Sequence, residues 1–122
     1  ATLLNQALAY TSRNQPGDQE RAETAYRGAV QIATTKNVQD PVIYNAYGTF
    51  LQQQKRLDEA ETFYKRALEI NPRYGKALFN LGTLYESRGD LKQALEKYKA
   101  AEEAGLPQGR EQYLRLRSTL KQ

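Results

Sequence analysis

Tyr44-x-x-Tyr47-Gly48-x-x-Leu51, followed by Ala60-x-x-x-Tyr64-x-x-Ala67 and Pro72, is the stretch whose reading decides the fold. Moved along the chain by 34 residues, it falls on Leu78-x-x-Leu81-Gly82-x-x-Tyr85, Ala94-x-x-x-Tyr98-x-x-Ala101 and Leu106. Every large position meets a large one and every small position a small one; only the proline is lost. Residues 41–108 are therefore two copies of one unit. A unit of this length cannot bury its apolar face alone, so it stacks on its neighbours.

The boundaries of each copy carry helix chemistry. Asp40-Pro41 supplies a capping acid and a proline in the first turn, where a missing N–H is harmless. The first helix of this unit is expected to run to about Gln54, with a short turn at Lys55-Arg56. The second ends at Asn71-Pro72, because the residue before a proline is driven out of the helical region. The next copy repeats the plan with Gly89-Asp90 as mid-turn, where glycine adopts a positive φ cheaply and Asp90 is placed to cap the following helix. Upstream, Ala22-Glu23-Thr24-x-Tyr26-x-x-Ala29 matches Ala60-Glu61-Thr62-x-Tyr64-x-x-Ala67, so a second helix is present there too. Its partner rests on Leu3 and Ala7-x-x-Tyr10, and needs a longer mid-turn through Asn14-Gln15-Pro16-Gly17. The link from Thr34 to Asp40 is also long, so the stacking is expected to depart from regularity at this junction. After Pro107 a final helix, about Gly109 to Leu120, turns Tyr113, Leu116 and Leu120 to one side. One domain over 1–122 follows: an irregular first unit 1–36, regular units 41–74 and 75–108, and a capping helix 109–122.

The order of large, small, aromatic, Ala, aromatic, Ala and Pro in these units resembles the tetratricopeptide repeat (TPR). The resemblance implies an all-α, right-handed α-solenoid of helix-turn-helix hairpins, three pairs plus a C-terminal capping helix. It gives a physical sense to Gly48 and Gly82, which stand mid-helix at a cost of about 1 kcal/mol against alanine: the paired helix must approach closely there. Eight of the nine tyrosines, all but Tyr74, fall at core or cap positions rather than on a ligand-stacking surface.

Composition narrows the chemistry. The chain has 122 residues, a net charge of +4 and neither Cys nor His, with a mean hydropathy of -0.82. Without Cys there are no disulfides or thiolate metal sites, and without His the commonest base and metal ligand is also gone. Asp58-Glu59 and Glu102-Glu103 are neighbours in sequence and diverge around a helix, and Gly105-x-x-x-Gly109 lacks the Lys and Ser/Thr of a phosphate loop. No catalytic site, metal or cofactor is expected, and no apolar run reaches the roughly 18 residues of a membrane span. A chain that starts at Ala1 with no methionine is expected to be processed, or cut from a longer or membrane-anchored protein, which leaves its location unread.

In proteins that this chain resembles, the first helix of each pair lines a concave face. The outward residues there are Asn45, Thr49, Gln52 and Gln53 in one unit, and Lys76, Phe79, Asn80, Thr83 and Glu86 in the next. Amides and hydroxyls suit a peptide backbone, Lys76 an acidic group, and Phe79 is a hot-spot candidate unless the capping helix covers it through Tyr113 or Leu114. Some family members clamp the C-terminal carboxylate of heat-shock chaperones with Lys, Asn and Arg. Asn5, Lys76 and Asn80 fall at matching places, but Ala46 replaces a second Asn and Asn80 stands where the Arg belongs, so that role is not expected. Arg110, Arg115, Arg117 and Lys121 form a basic cap; four cations on one helix give only weak, salt-dependent affinity for nucleic acid, which is not the expected partner. The reading is a non-catalytic module, a scaffold, adaptor or assembly factor, that binds a peptide segment of a partner in its groove. The alternative is self-assembly, with half-repeats at the two ends stacking copy on copy into a homo-oligomer.

Overall fold

Short hairpin turns set the architecture. The computed structural model describes residues 2–121 as seven helices: α1 (Leu3–Arg13), α2 (Asp18–Thr35), α3 (Pro41–Gln53), α4 (Leu57–Ile70), α5 (Gly75–Arg88), α6 (Leu91–Glu103) and α7 (Pro107–Leu120). Among the described residues there is no strand. Helices pair as α1–α2, α3–α4 and α5–α6, with α2 meeting α3, α4 meeting α5 and α7 lying against α6. This is the row of hairpins that the repeat demands: an all-α helical-repeat solenoid.

Local chemistry explains the boundaries. The Asp40 side chain accepts from the Val42 N–H at 3.0 Å, and Pro41 occupies the first turn of α3. Asn71, held before Pro72, leaves the helical region at φ -137°. The Gly89 turn has φ +83°, and the Asp90 N–H reaches back to the Tyr85 carbonyl at 2.9 Å, closing the helix end. Lys55, one period earlier, adopts φ +64° and the Arg56 N–H bonds the Leu51 carbonyl at 2.9 Å, so the same turn is made without glycine. Two details differ from expectation. The Asp90 carboxylate makes no capping bond, and α7 begins at Pro107 rather than near Gly109, because a proline in the first turn starts a helix instead of preceding it.

Each regular hairpin closes on one contact. A Cβ on Gly48 would lie 2.7 Å from the Tyr64 ring, and one on Gly82 2.6 Å from the Tyr98 ring. Both tyrosines are almost wholly buried, and Ala60, Ala67, Ala94 and Ala101 pack around them with no exposure. Gly109 does the same for α7: a Cβ there would sit 2.7 Å from the Glu102 N and from the Tyr98 carbonyl oxygen, so α7 rests backbone to backbone on α6.

Between hairpins the joint is a carboxylate clasp. Glu61 on α4 accepts from the Tyr85 hydroxyl at 2.6 Å and from Arg88 at 2.7 Å, both on α5. Glu23 on α2 accepts from the Tyr47 hydroxyl at 3.1 Å and from Arg56 at 2.7 Å. Tyr47 stands four residues before Leu51, the residue that aligns with Tyr85. The first joint is therefore met one helical turn nearer the start of the receiving helix, which is the irregularity expected between the first and second units. Burial alone would raise the Glu61 carboxyl, but hydrogen bonds from Tyr85, Arg88 and Lys65 outweigh it and bring it down to about 2.

Two expected outcomes follow. A folded value below the ordinary 4.5 means that the stability from Glu61 is complete above that pH and is lost as pH falls toward about 2. Thermal melts between pH 5 and 2.5 should show a fall that is shallower in Glu61→Gln; equal slopes in both proteins would remove the clasp from the account. Lys55→Gly should raise, and Gly89→Lys lower, the stability by about 1 kcal/mol each in urea unfolding, because only the left-handed turn differs in strain.

Candidate peptide groove

The residues that line the inner face come from α3 and α5, whose outward positions recur at the 34-residue period. Most are bonded to one another. The Asn80 amide donates to Asn45 Oδ1 at 3.0 Å and lies 3.3 Å from the Thr49 hydroxyl. The Gln52 amide donates to the Thr83 hydroxyl at 3.1 Å. Thr49 and Thr83 in turn donate to the carbonyls of Asn45 and Asn80, at 3.0 and 2.8 Å. A polar ladder thus ties the two helices across the groove floor. Gln53 and Lys76 remain exposed beside it.

Core tyrosines reach this ladder from behind. The Tyr64 hydroxyl donates to Gln52 Oε1 at 2.7 Å and the Tyr98 hydroxyl to Glu86 at 2.8 Å, equivalent bonds one period apart. Burial pushes the Tyr64 phenol up to about 12, so it stays a neutral donor. Sequence reasoning treated these tyrosines only as core; the signal for their second role is the large polar residue at the same register, Gln52 and Glu86.

Two of the anticipated residues sit differently from the expectation. Glu86 is no free acid: Arg115 on α7 grips both its oxygens, at 2.7 and 2.9 Å, and holds its carboxyl below the usual range. Arg115 is correspondingly committed to the part-exposed Glu86 carboxylate, a pairing between α7 and α5 that the sequence pattern does not reveal, while it stays exposed like Arg110, Arg117 and Lys121. Phe79 is half-buried and leans on the Tyr98 ring at 5.5 Å. The capping residue beside its cleft is Gln112, while Leu114 points outward with 48% exposure.

The groove holds two adjoining clefts. One, of about 280 Å³, lies among Thr49, Gln52, Gln53, Tyr64, Asn80 and Ser87. The other, of about 440 Å³, is lined by Phe79, Thr83, Glu86, Ser87, Tyr98 and Gln112. The sequence reading overlooked an aliphatic end to this face. Val42 stands one period before Lys76 and is exposed, as are Val38 and Leu8, next to a cleft of about 300 Å³ among Leu3, Leu4, Ile32, Val38 and Ile43. Asn80 turns its amide to Asn45 and Thr49, so the chaperone-type clamp lacks its arginine and has its substitute already engaged. Among the described residues no cluster of three or more acidic, His or Cys side chains could hold a metal ion, and no helix is long and apolar enough to cross a membrane.

A tetratricopeptide repeat family model matches residues 39–105. Among curated proteins, the chain is 41% identical over 56 residues to the uncharacterized protein ycf37 of Pyropia yezoensis, covering 46% of this chain and 32% of that one. It is 31% identical over 85 residues to the human mitochondrial import receptor subunit TOM70, covering 69% of this chain and 14% of the receptor. The chain thus spans a third or less of the length of these relatives. Of solved structures, the Sgt2 TPR domain from Aspergillus fumigatus superposes with a TM-score of 0.82 at 20% identity, over 98% of this chain and 77% of that one. The first TPR of Spaghetti bound to an HSP90 peptide gives a TM-score of 0.76 at 17% identity, over 98% and 96%. The TPR2B domain of yeast Sti1 in complex with pHsp70 gives 0.81 at 18%, over 96% and 94%. With more than half of its length matched by the family model and its hairpins superposing on such domains, the chain belongs to the tetratricopeptide repeat family.

Proposed function

We propose that this chain is a non-catalytic protein-interaction module that holds an extended segment of a partner protein across α3 and α5. The observation that carries the reading is the ladder Asn45–Asn80 and Gln52–Thr83. Asn45 is fixed by one side-chain bond and Asn80 and Gln52 by two each, and every amide keeps further hydrogen-bonding capacity for a backbone lying over it. Because the side chains are already ordered, binding loses little rotamer freedom. Lys76 favours an acidic side chain or terminal carboxylate, and the aliphatic end around Val38 and Val42 takes an apolar residue. Two structurally similar domains, those of Spaghetti and Sti1, are described in complex with chaperone peptides or segments, which supports a peptide in this groove without naming the partner. Scaffold, adaptor and assembly factor are all roles that such a module serves.

Panning a display library of extended peptides, followed by calorimetric titration of the recovered sequences, tests the proposal. Asn80→Ala and Lys76→Ala should each weaken binding by roughly 5- to 30-fold, and Arg117→Ala, outside the groove, should leave it unchanged. Equal affinity for wild type, Lys76→Ala, Phe79→Ala and Asn80→Ala would move the site off this face.

A further inference from the structure

In the second and third hairpins, one face is covered by the second helix of the hairpin before. Helix α2 lies over Tyr44, Tyr47 and Phe63: Tyr26 stacks on Tyr47 with ring centroids 5.5 Å apart, and the Thr34 and Tyr44 hydroxyls are 3.4 Å apart. Helix α4 lies on α5 and fastens through Glu61. The first hairpin has the same face, and among the described residues no helix lies on it. In its place is an open cleft of about 470 Å³, lined by Leu3, Gln6, Tyr10, Arg21 and Ala25 among others.

The register identifies this cleft with the covered faces. A shift of 41 residues carries α1 onto α3, placing Ala7 on Gly48 and Thr11 on Gln52, so that Thr11 lies beside the Tyr26 hydroxyl as Gln52 lies beside that of Tyr64. Leu3 and Gln6 then stand at the positions of Tyr44 and Tyr47, and Ala25, by the match of α2 to α4, at that of Phe63. Tyr10-x-x-Arg13 falls on Tyr85-x-x-Arg88, the pair that grips Glu61.

The arginines also repeat a pattern. Arg56 divides itself between Glu59 of its own hairpin and Glu23 of the preceding helix. Arg13 makes the first half of that arrangement, donating to the fully buried Asp18 at 2.6 and 2.8 Å, and Arg21 reaches the same carboxylate at 3.1 Å. Both arginines remain about half exposed, and Arg13 lies over the Tyr10 ring at 5.4 Å. The Tyr10 hydroxyl has no hydrogen-bond partner among the described residues. Glu20 also lines the cleft, so recognition rests on donors aimed at one carboxylate rather than on a bulk positive field.

We infer that this face is a docking site for an amphipathic helix of a partner protein that presents a glutamate to Tyr10 and Arg13. The helix carries apolar residues three and seven positions after the glutamate, as Tyr26 and Val30 follow Glu23 and as Tyr64 and Leu68 follow Glu61. The site continues a stacking interface that the chain already uses twice internally, and it is separate from the α3–α5 groove. Gln6 and Ala25 offer less apolar surface than Tyr47 and Phe63, which makes the docking reversible where the internal joints are permanent.

The chain supplies its own probe: a helix-stabilised synthetic peptide with the α4 sequence Leu57–Ile70, titrated into the isotope-labelled protein and followed by amide chemical shifts. Shifts should concentrate in α1 and α2, and affinity should fall about tenfold with Tyr10→Phe, with Arg13→Gln and with a glutamine at the peptide's Glu61 position. Asn80→Ala should leave it unchanged, which separates this site from the proposed groove. Tyr10→Phe keeps the Asp18 pairs intact, so it decides the matter even if Arg13→Gln does not fold. No shifts at millimolar peptide, shifts centred on α3 and α5, or indifference to Tyr10→Phe and to the peptide glutamine would each overturn the assignment. Sedimentation showing self-association abolished by Tyr10→Phe would also overturn it, by making a second copy of this chain the occupant.

Discussion

Everything in this molecule depends on how closely two helices can approach, and that distance is set by a tyrosine ring lying on a bare glycine. At Gly48 against Tyr64, and at Gly82 against Tyr98, even one extra carbon would overlap the ring. The contact fixes the width of the hairpin and brings the phenol through the hairpin to its inner face. Width then determines which residues of α3 and α5 lie abreast, and so which side chains can join across the groove. The helix-propensity cost of a mid-helix glycine is the lesser quantity, because an overpacked buried ring is destabilised by about 1–3 kcal/mol.

A second constraint acts between hairpins. Apolar stacking alone is non-directional, and a helix laid on a neighbouring pair could slide by a turn. The glutamates at positions 23 and 61 remove that freedom, since each collects a phenol and a guanidinium from the next hairpin. That the first clasp reaches Tyr47, while the second reaches the residue aligned with Leu51, shows how the same device accommodates a different offset. The links at residues 14–17 and 36–40, each longer than its counterparts further along the chain, belong to the same irregularity.

How much of this could be read in advance follows from what kind of interaction each part uses. Helix number, hairpin pairing and the glycine contacts were legible, because they depend on spacing within 34 residues and on residue size. The long first turn was legible from Asn14, Pro16 and Gly17. The inner face was only half legible. Register places Asn45, Thr49, Gln52, Asn80 and Thr83 there, but whether they meet a ligand or one another depends on separations across two helices. Arg115 illustrates the limit: nothing near it in sequence points to Glu86, 29 residues away. The clasps were hidden for the same reason, as Glu23 and Glu61 look like ordinary surface charges on their own helices. The Lys55 turn was legible as a turn, though not as one made in a conformation that favours glycine.

The phenols at positions 64 and 98 present one unchanging donor, yet what receives it differs from one hairpin to the next: an amide, then a carboxylate already neutralised by an arginine. Substitution at the receiving position therefore alters the character of the trough while the helix pair beneath it stays as it was. Travelling from α1 to α7, the surface passes from aliphatic through neutral-polar to ionic. On the proposed function, a strand laid along it would meet a different environment at each end, and its two possible directions would be energetically inequivalent.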